Sequence, residues 1–325
     1  MVNYKNEKVK LFSLNANKPL AEEIAALSSI PLSNVEVSRF ADGEININID
    51  ESVRGCEVIV IQPTSSPVNE HIMELLVFCD ACKRASAESV TVVMPYYGYS
   101  RQDRKAKSRQ PITAKLVADL LQVSGVNRVV CLDLHAAQIQ GFFNIPIDNL
   151  LAGPILSEYF LSKAIKNMVV VSPDHGGVTR ARKFAERLGA ELAIIDKVRP
   201  EPNKAEVMNI IGKVKGMSAI IIDDIIDTAG TMCAAAEALL NAGAIQVFAA
   251  ATHGIFSGTA FNNINSSRIK EIVVTNSVLV DSINKTNKLT IISIAPLLAE
   301  TISRIVNGQP ISALFETIEN SKTSN

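Results

Sequence analysis

At 325 residues and a formal net charge of −1, the chain has no global attraction for nucleic acid or for an acidic membrane, so any anion it binds must meet a local cluster of donors. Hydrophobic residues make up 47% of it but aromatic residues only 5%, with no tryptophan, the composition of an aliphatic core like those that parallel α/β layers bury. The length exceeds one ordinary core and fits two domains of about 150 residues each.

In chain order, Met1 to Lys10 carries charges and lacks the apolar stretch of a leader, and no later run approaches the roughly 20 apolar residues of a membrane span. A cytoplasmic protein with reduced thiols is expected. Val9–Ser13 predicts a short strand, Asn15–Pro19 a turn and Leu20–Leu27 a helix; a strand at Val35–Val37 then leads into Arg39-Phe40-Ala41-Asp42-Gly43-Glu44. Val58–Ile61 reads as a buried strand ending in Gln62-Pro63-Thr64-Ser65-Ser66. Cys79 and Cys82 form a CxxC inside the next helix. No second pair completes a zinc site, so they read as buried structure. The strand from Val90 to Met94 runs into Tyr96-Tyr97-Gly98-Tyr99 and then Arg101–Arg109, where five residues are basic and one is acidic. Aromatic rings beside arginine suit a nucleoside triphosphate, the ring stacking and the guanidinium pairing with phosphate. His135 ends the strand that begins at Val129.

The second half repeats the pattern. Met168–Ser172, a helix Val178–Leu188 and a strand Leu192–Ile195 match the opening strand–helix–strand unit, with Ser13 set on Ser172. Ile220 to Thr231, a helix and the strand Gln246–Thr252 match Val58 to Thr64, its helix and the strand Val90 to Met94. The chain therefore reads as a duplicated α/β domain, 1–150 and 151–325, with ligands expected at the carboxyl ends of parallel strands. Only the second copy carries Asp223-Asp224-Ile225-Ile226-Asp227-Thr228-Ala229-Gly230-Thr231. Backbone N–H groups opening a helix bind phosphate, and Thr228 and Thr231 add hydroxyls, so Asp227 to Thr231 is a candidate phosphate loop. Asp223 and Asp224 would repel that phosphate unless they face sugar hydroxyls or a magnesium ion carried by the ligand. His135 and Asp174, each at a strand end, are possible magnesium contacts. A P-loop motif and a dinucleotide-binding glycine motif are both missing, so a nucleotide site here must be built from Arg, Gln and backbone groups.

These stretches resemble a known family. Asp223 to Thr231 is similar to the phosphoribosyl-binding motif of type I phosphoribosyltransferases. Together with Arg39–Glu44, Ser52-Val53-Arg54-Gly55, Pro95–Lys105, Leu132–His135, Gln138–Phe143 and Val171–Asp174, it resembles the ribose-phosphate pyrophosphokinases, most closely the bacterial class that needs phosphate and magnesium. The resemblance runs from about Leu11 to Phe315. It implies two tandem phosphoribosyltransferase-like domains, each a mainly parallel sheet flanked by helices, an ATP side in the first and a ribose 5-phosphate side in the second. It implies transfer of the pyrophosphoryl group of ATP to the 1-hydroxyl of ribose 5-phosphate, giving 5-phosphoribosyl 1-diphosphate for nucleotide, histidine and tryptophan synthesis, and AMP. By position, Asp42, Gly43, Glu44, Arg101 and Gln102 would bind ATP, His135 and Asp174 the Mg2+ cofactor, and Asp223, Asp224 and Asp227 to Thr231 the ribose 5-phosphate. Lys197 and Arg199 would be catalytic, Arg199 also touching the sugar phosphate. Ser52, Arg54, Ser86 and Ser312 resemble an allosteric site for phosphate, the activator, and ADP, and a homohexamer is implied. Two rivals remain: a catalytically silent regulatory subunit, and an ordinary phosphoribosyltransferase.

Overall fold

A computed structural model describes residues 8–198, 207–281, 285–312 and 314. The chain divides into two compact units: the first runs to Leu151 and takes back 277–279 and the described residues from Ser293 on, and the second lies within Ala152–Asn276 and Val280–Ile292.

In the first unit β1 (Val9–Ser13), α1 (Lys18–Ser28), β2 (Val35–Arg39), β3 (Ile45–Ile49), β4 (Glu57–Ile61), α2 (Val68–Arg84), β5 (Ser89–Met94), α3 (Thr113–Ser124), β6 (Arg128–Leu132) and β7 (Ile147–Leu150) occur in that order. Five of the strands form one parallel sheet, β1-β4-β5-β6-β7. β-Branched runs such as Val58-Ile59-Val60-Ile61 are buried along their whole length, as central parallel strands require. One face of the sheet is covered by α2 and α3, whose Leu75, Phe78, Val117 and Leu121 are buried with Phe12, Val60, Val92 and Val129. Phe78 meets Phe12 edge-on at 5.1 Å between ring centroids. Cys79 and Cys82 are fully buried in this layer. Burial pushes the Cys82 thiol up to about 12 and Cys79 higher still, so both stay protonated.

The second unit contains α4 (Gly153–Ser162), β8 (Met168–Ser172), α5 (Val178–Leu188), β9 (Glu191–Val198), β10 (Val207–Ile211), β11 (Ser218–Ile226), α6 (Gly230–Asn241), β12 (Gln246–Gly254), α7 (Ala260–Ser266), β13 (Glu271–Thr275) and β14 (Leu289–Ile292). Its sheet runs β10-β9-β8-β11-β12-β13-β14, parallel except for the antiparallel edge pair β9–β10. α5 shows how sequence places a helix: Ala181, Phe184, Ala185 and Leu188 recur at helical spacing and are buried, while Arg182, Lys183 and Glu186 face water.

Both sheets share one strand order, β1-β4-β5-β6-β7 against β8-β11-β12-β13-β14, and the α/β class with mainly parallel, helix-flanked sheets is the fold that forms. The match predicted at the second strand differs in detail. β9 pairs alongside β8, whereas β2 leaves its sheet and pairs only with β3 as a separate antiparallel hairpin. The C-terminal helix α8 (Ala295–Val306) comes after β14 in sequence but packs on α1, in the first unit. Among the described residues no helix is long and apolar enough to cross a membrane.

Candidate active site

β11 outlasts its neighbour. Its pairing with β8 ends at Ile221, but it continues beside β12 to Ile226, so Asp223 and Asp224 lie past the end of β8. Arg180, in the first turn of α5, enters this gap and places Nη1 at 3.2 Å from Asp223 Oδ1 and 3.3 Å from Asp224 Oδ1. Sequence reasoning missed Arg180, because a basic residue on an amphipathic helix reads as solvated; its place in the first turn after the strand-end Asp174 was the available signal. Burial, then the hydrogen bond and negative charge of Asp224, push the Asp223 carboxyl up to about 7 against the pull of Arg180. The pair is therefore not fully ionised below neutral pH, and a ligand that supplies hydroxyl donors or a cation would favour its ionised form.

Beyond the pair the chain turns into α6. Ala229 adopts φ 60°, a left-handed conformation costing roughly 1–2 kcal/mol for a residue with a Cβ, a strain held in place by its surroundings. Asp227 accepts from Ser257 Oγ, and Asn263 Nδ2 donates to Thr228 O at 2.9 Å, so α7 and the loop before it brace the turn. Thr228, Gly230 and Thr231 remain exposed at the helix start, where the first N–H groups have no intrahelical acceptor. This arrangement can hold a phosphate beside the acid pair.

Asp174 is exposed after β8; its Oδ1 accepts from Gly177 N at 2.9 Å and its backbone O from Ser172 Oγ at 2.7 Å. His175 pairs with Asp196 Oδ1 at 2.8 Å through Nε2. Lys197 lies in β9 opposite Met208, but its side chain, like the whole of Arg199, falls outside the described residues.

In the first unit Asp42, Gly43 and Glu44 form the exposed tip of the β2–β3 hairpin. Phe40 N donates to Glu44 O at 2.9 Å, Gly43 N to Phe40 O at 2.9 Å and Glu44 N to Asp42 Oδ1 at 3.1 Å. Gly43 takes φ 96°, which a side chain would strain. Arg101 and Gln102 are exposed past β5, and Gln102 is tied to the start of α3 by Thr113 Oγ1 at 2.5 Å and by Ala114 N at 3.2 Å. The turn before them is tightly packed: a Cβ on Gly98 would sit 2.5 Å from Thr64 O, so only glycine fits. His135 is exposed just after β6, where Asp133 N donates to Leu150 O at 2.8 Å and Leu134 N to Asn149 Oδ1 at 3.0 Å. His71 is buried in the first turns of α2 with Nδ1 at 2.9 Å from Ser65 O.

Of the suspected allosteric residues, Arg54 Nη1 reaches Ser86 Oγ at 3.2 Å. Ser52 and Ser312 are exposed. Among the described residues no three His, Cys, Asp or Glu side chains converge as a metal cage. His135, in the first unit, and Asp174, in the second, are each a single exposed donor of the kind that an ion carried by substrate phosphates and keeping several waters can accept.

Comparison with known proteins locates the chain among its relatives. Residues 9–125 match the N-terminal domain of ribose phosphate pyrophosphokinase, and residues 197–316 match the phosphoribosyl synthetase-associated domain. A ribose-phosphate pyrophosphokinase of Bacillus cereus is 59% identical over 96% of this chain and 98% of its own length. That of Bacillus subtilis is 58% identical over the same shares. The crystal structure of phosphoribosylpyrophosphate synthetase from Mycobacterium smegmatis superposes with a TM-score of 0.88 and 41% identity, covering 93% of this chain and 99% of that one.

Proposed function

The chain belongs to the ribose-phosphate pyrophosphokinase family and forms 5-phosphoribosyl 1-diphosphate from ATP and ribose 5-phosphate, and from that premise we propose which of its residues do the work. The observation that carries the reading is the juxtaposition, within one unit, of an acid pair, Asp224 buried and Asp223 partly so, held by Arg180, and an exposed helix start. Thr228, Ala229, Gly230 and Thr231 hold the 5-phosphate through their N–H groups and hydroxyls. Asp227 shapes this loop, anchored by Ser257. Asp223 and Asp224 accept from the ribose hydroxyls and so fix the sugar with its 1-hydroxyl presented.

On the ATP side, Asp42, Gly43 and Glu44 meet the adenine and Arg101 and Gln102 the phosphates. Attack of the 1-hydroxyl on the β-phosphorus forms one P–O bond and breaks the bond to the α-phosphate, releasing AMP. Such a transfer needs positioning and charge stabilisation more than covalent help from the protein. Lys197 and Arg199 supply positive charge for it. His135 and Asp174 would each contact magnesium carried by the triphosphate, and the ion would supply neutralisation of phosphate charge. Inorganic phosphate as activator, the site of Ser52, Arg54, Ser86 and Ser312, a homohexamer and a cytoplasmic location complete the proposal; the Arg54–Ser86 contact supports the site.

The deciding experiment is AMP release from ATP with ribose 5-phosphate, magnesium and phosphate present. Release that needs all of them is expected. Its failure would favour a silent regulatory subunit, and consumption of 5-phosphoribosyl 1-diphosphate with a nucleobase instead would identify a phosphoribosyltransferase.

A further inference from the structure

The first two turns of α2 reach both of the stretches assigned to ATP. Asn69 Oδ1 accepts from Tyr99 Oη at 2.5 Å, in the turn that leads to Arg101. Glu70 and Glu74, one helical turn apart, both face Arg39, at 2.5 and 3.7 Å. Arg39 is the last residue of β2, and the Phe40–Glu44 turn starts from it.

Glu74 is the unusual member, with its side chain only 1% exposed. A carboxylate that deep is tolerated only where its oxygens are matched by donors and its charge by a cation. Asn15 Nδ2 donates to Oε1 at 3.0 Å and Gln62 Nε2 to Oε2 at 2.9 Å, while Gln62 Oε1 accepts from Ala16 N at 3.1 Å. Both donors are neutral, so the half-exposed Arg39 guanidinium supplies the countercharge. Asn15 comes just after β1 and Gln62 just after β4. One buried carboxylate thus ties the carboxyl ends of two sheet strands to the root of the hairpin.

The hairpin needs such a tie. β2 and β3 pair with each other and not with the five-stranded sheet, and a two-stranded hairpin is marginal on its own. Its Val35, Val37, Ile47 and Ile49 are only partly buried against the core. That packing holds the body of the hairpin and stops short of the exposed Asp42-Gly43-Glu44 tip. An ion pair at Arg39, adjoining the tip, fixes its direction.

We infer that the Arg39–Glu70–Glu74 clamp orients the Asp42-Gly43-Glu44 tip to receive the nucleobase of ATP, making Arg39 and Glu74 positioning residues for the nucleotide. This rests on the reading of that tip as an ATP contact. The test uses the full-length enzyme and two readouts: KM for ATP against KM for ribose 5-phosphate and kcat, and amide exchange at Phe40 and Gly43, whose N–H groups close the turn. Arg39→Gln is expected to raise the ATP KM about tenfold or more and leave the other two constants within about threefold. Exchange at the two amides should quicken about tenfold while β4 amides keep their rates. Glu74→Gln should act in the same direction, and the double variant should add little to either single one. Should Glu74→Gln not fold, Arg39→Gln carries the test from the half-exposed end of the clamp.

Unchanged exchange at Phe40 and Gly43 in Arg39→Gln overturns the clamp. Faster exchange with an unchanged ATP KM overturns the positioning role; if Asp42→Ala also leaves that KM unchanged, the error lies in assigning the tip to ATP rather than in the clamp. A rise of both KM values together with faster exchange throughout β4 would mark a merely structural contact and overturn it as well.

Discussion

The loops after β4 and β11 occupy the same place in two sheets of one strand order, yet they are finished in opposite ways. After β4 the chain closes on itself: Gln62, Thr64 and Ser65 are buried, Thr64 N donates to Tyr96 O at 2.9 Å, and Gly98 N donates to Thr64 Oγ1 at 2.7 Å. After β11 the chain stays open, with an acid pair not fully ionised below neutral pH, a strained Ala229 and an exposed helix start. The contrast shows where a duplicated domain diverges. The frame is kept because strand order and core depend on apolar periodicity; the strand-end loop either uses its hydrogen bonds internally or keeps them for a ligand.

The largest expected effect tests the open loop. Asp223→Asn should lower kcat/KM for ribose 5-phosphate by about 100-fold or more, because it replaces a preorganised acceptor of the sugar hydroxyls by an amide, with ATP binding little changed. Steady-state kinetics varied in each substrate checks it, and a loss confined to ATP would place the acid pair on the wrong ligand.

A crossed pair of substitutions sharpens the comparison. Thr228→Val should raise the ribose 5-phosphate KM about tenfold with little loss of stability, since the hydroxyl is exposed and kept for the phosphate. Thr64→Val, in the closed loop, should do the reverse: it leaves the Gly98 N–H buried without its acceptor, costs about 1–3 kcal/mol of stability, and leaves that KM unchanged. Denaturant melts and kinetics on the same two proteins decide it; equal stability losses would erase the distinction between the loops.

The smallest effect is on pH. The Asp223 carboxyl is raised to about 7 from an ordinary value of 3.8, so the folded, unliganded protein binds a proton that the unfolded chain has released. Stability from this group is complete at low pH, below the unfolded value, and is lost as pH rises through about 7. Unliganded Asp223→Asn should lack that slope and be at least as stable as the parent at neutral pH, the exchange of stability for function expected of a ligand site. Melting temperature against pH for both proteins measures it, and parallel curves would show that the pair carries no such strain.

Much of this was legible in the sequence. The strands were marked by unbroken β-branched runs, and the acid pair and helix start by residue types that no capping motif explains together. Other features were not. Val35-Glu36-Val37 alternates as well in a detached hairpin as in a sheet edge, so β2 leaving the sheet was invisible until its partner β3 was known. Arg180 stands on an exposed-looking helix position and acquires its meaning only from Asp223 and Asp224, distant in sequence. The buried charge of Glu74 was hidden for the same reason: its donors, Asn15 and Gln62, come from two other elements.

α8 shows what such distance means in time. Its apolar face, with Leu298, Ala299 and Ile302 buried, rests in the first unit on α1, where Ser293 also donates to Glu23. A chain made at about 5–20 residues per second brings α8 out on the order of tens of seconds after α1. Through that interval the second unit's strands emerge and pair while the helix meant for the first unit's surface does not yet exist. The domain that begins synthesis is the one that finishes last, and a chain cut short before Ala295 would leave the amino-terminal unit, rather than the carboxyl-terminal one, with an uncovered apolar face.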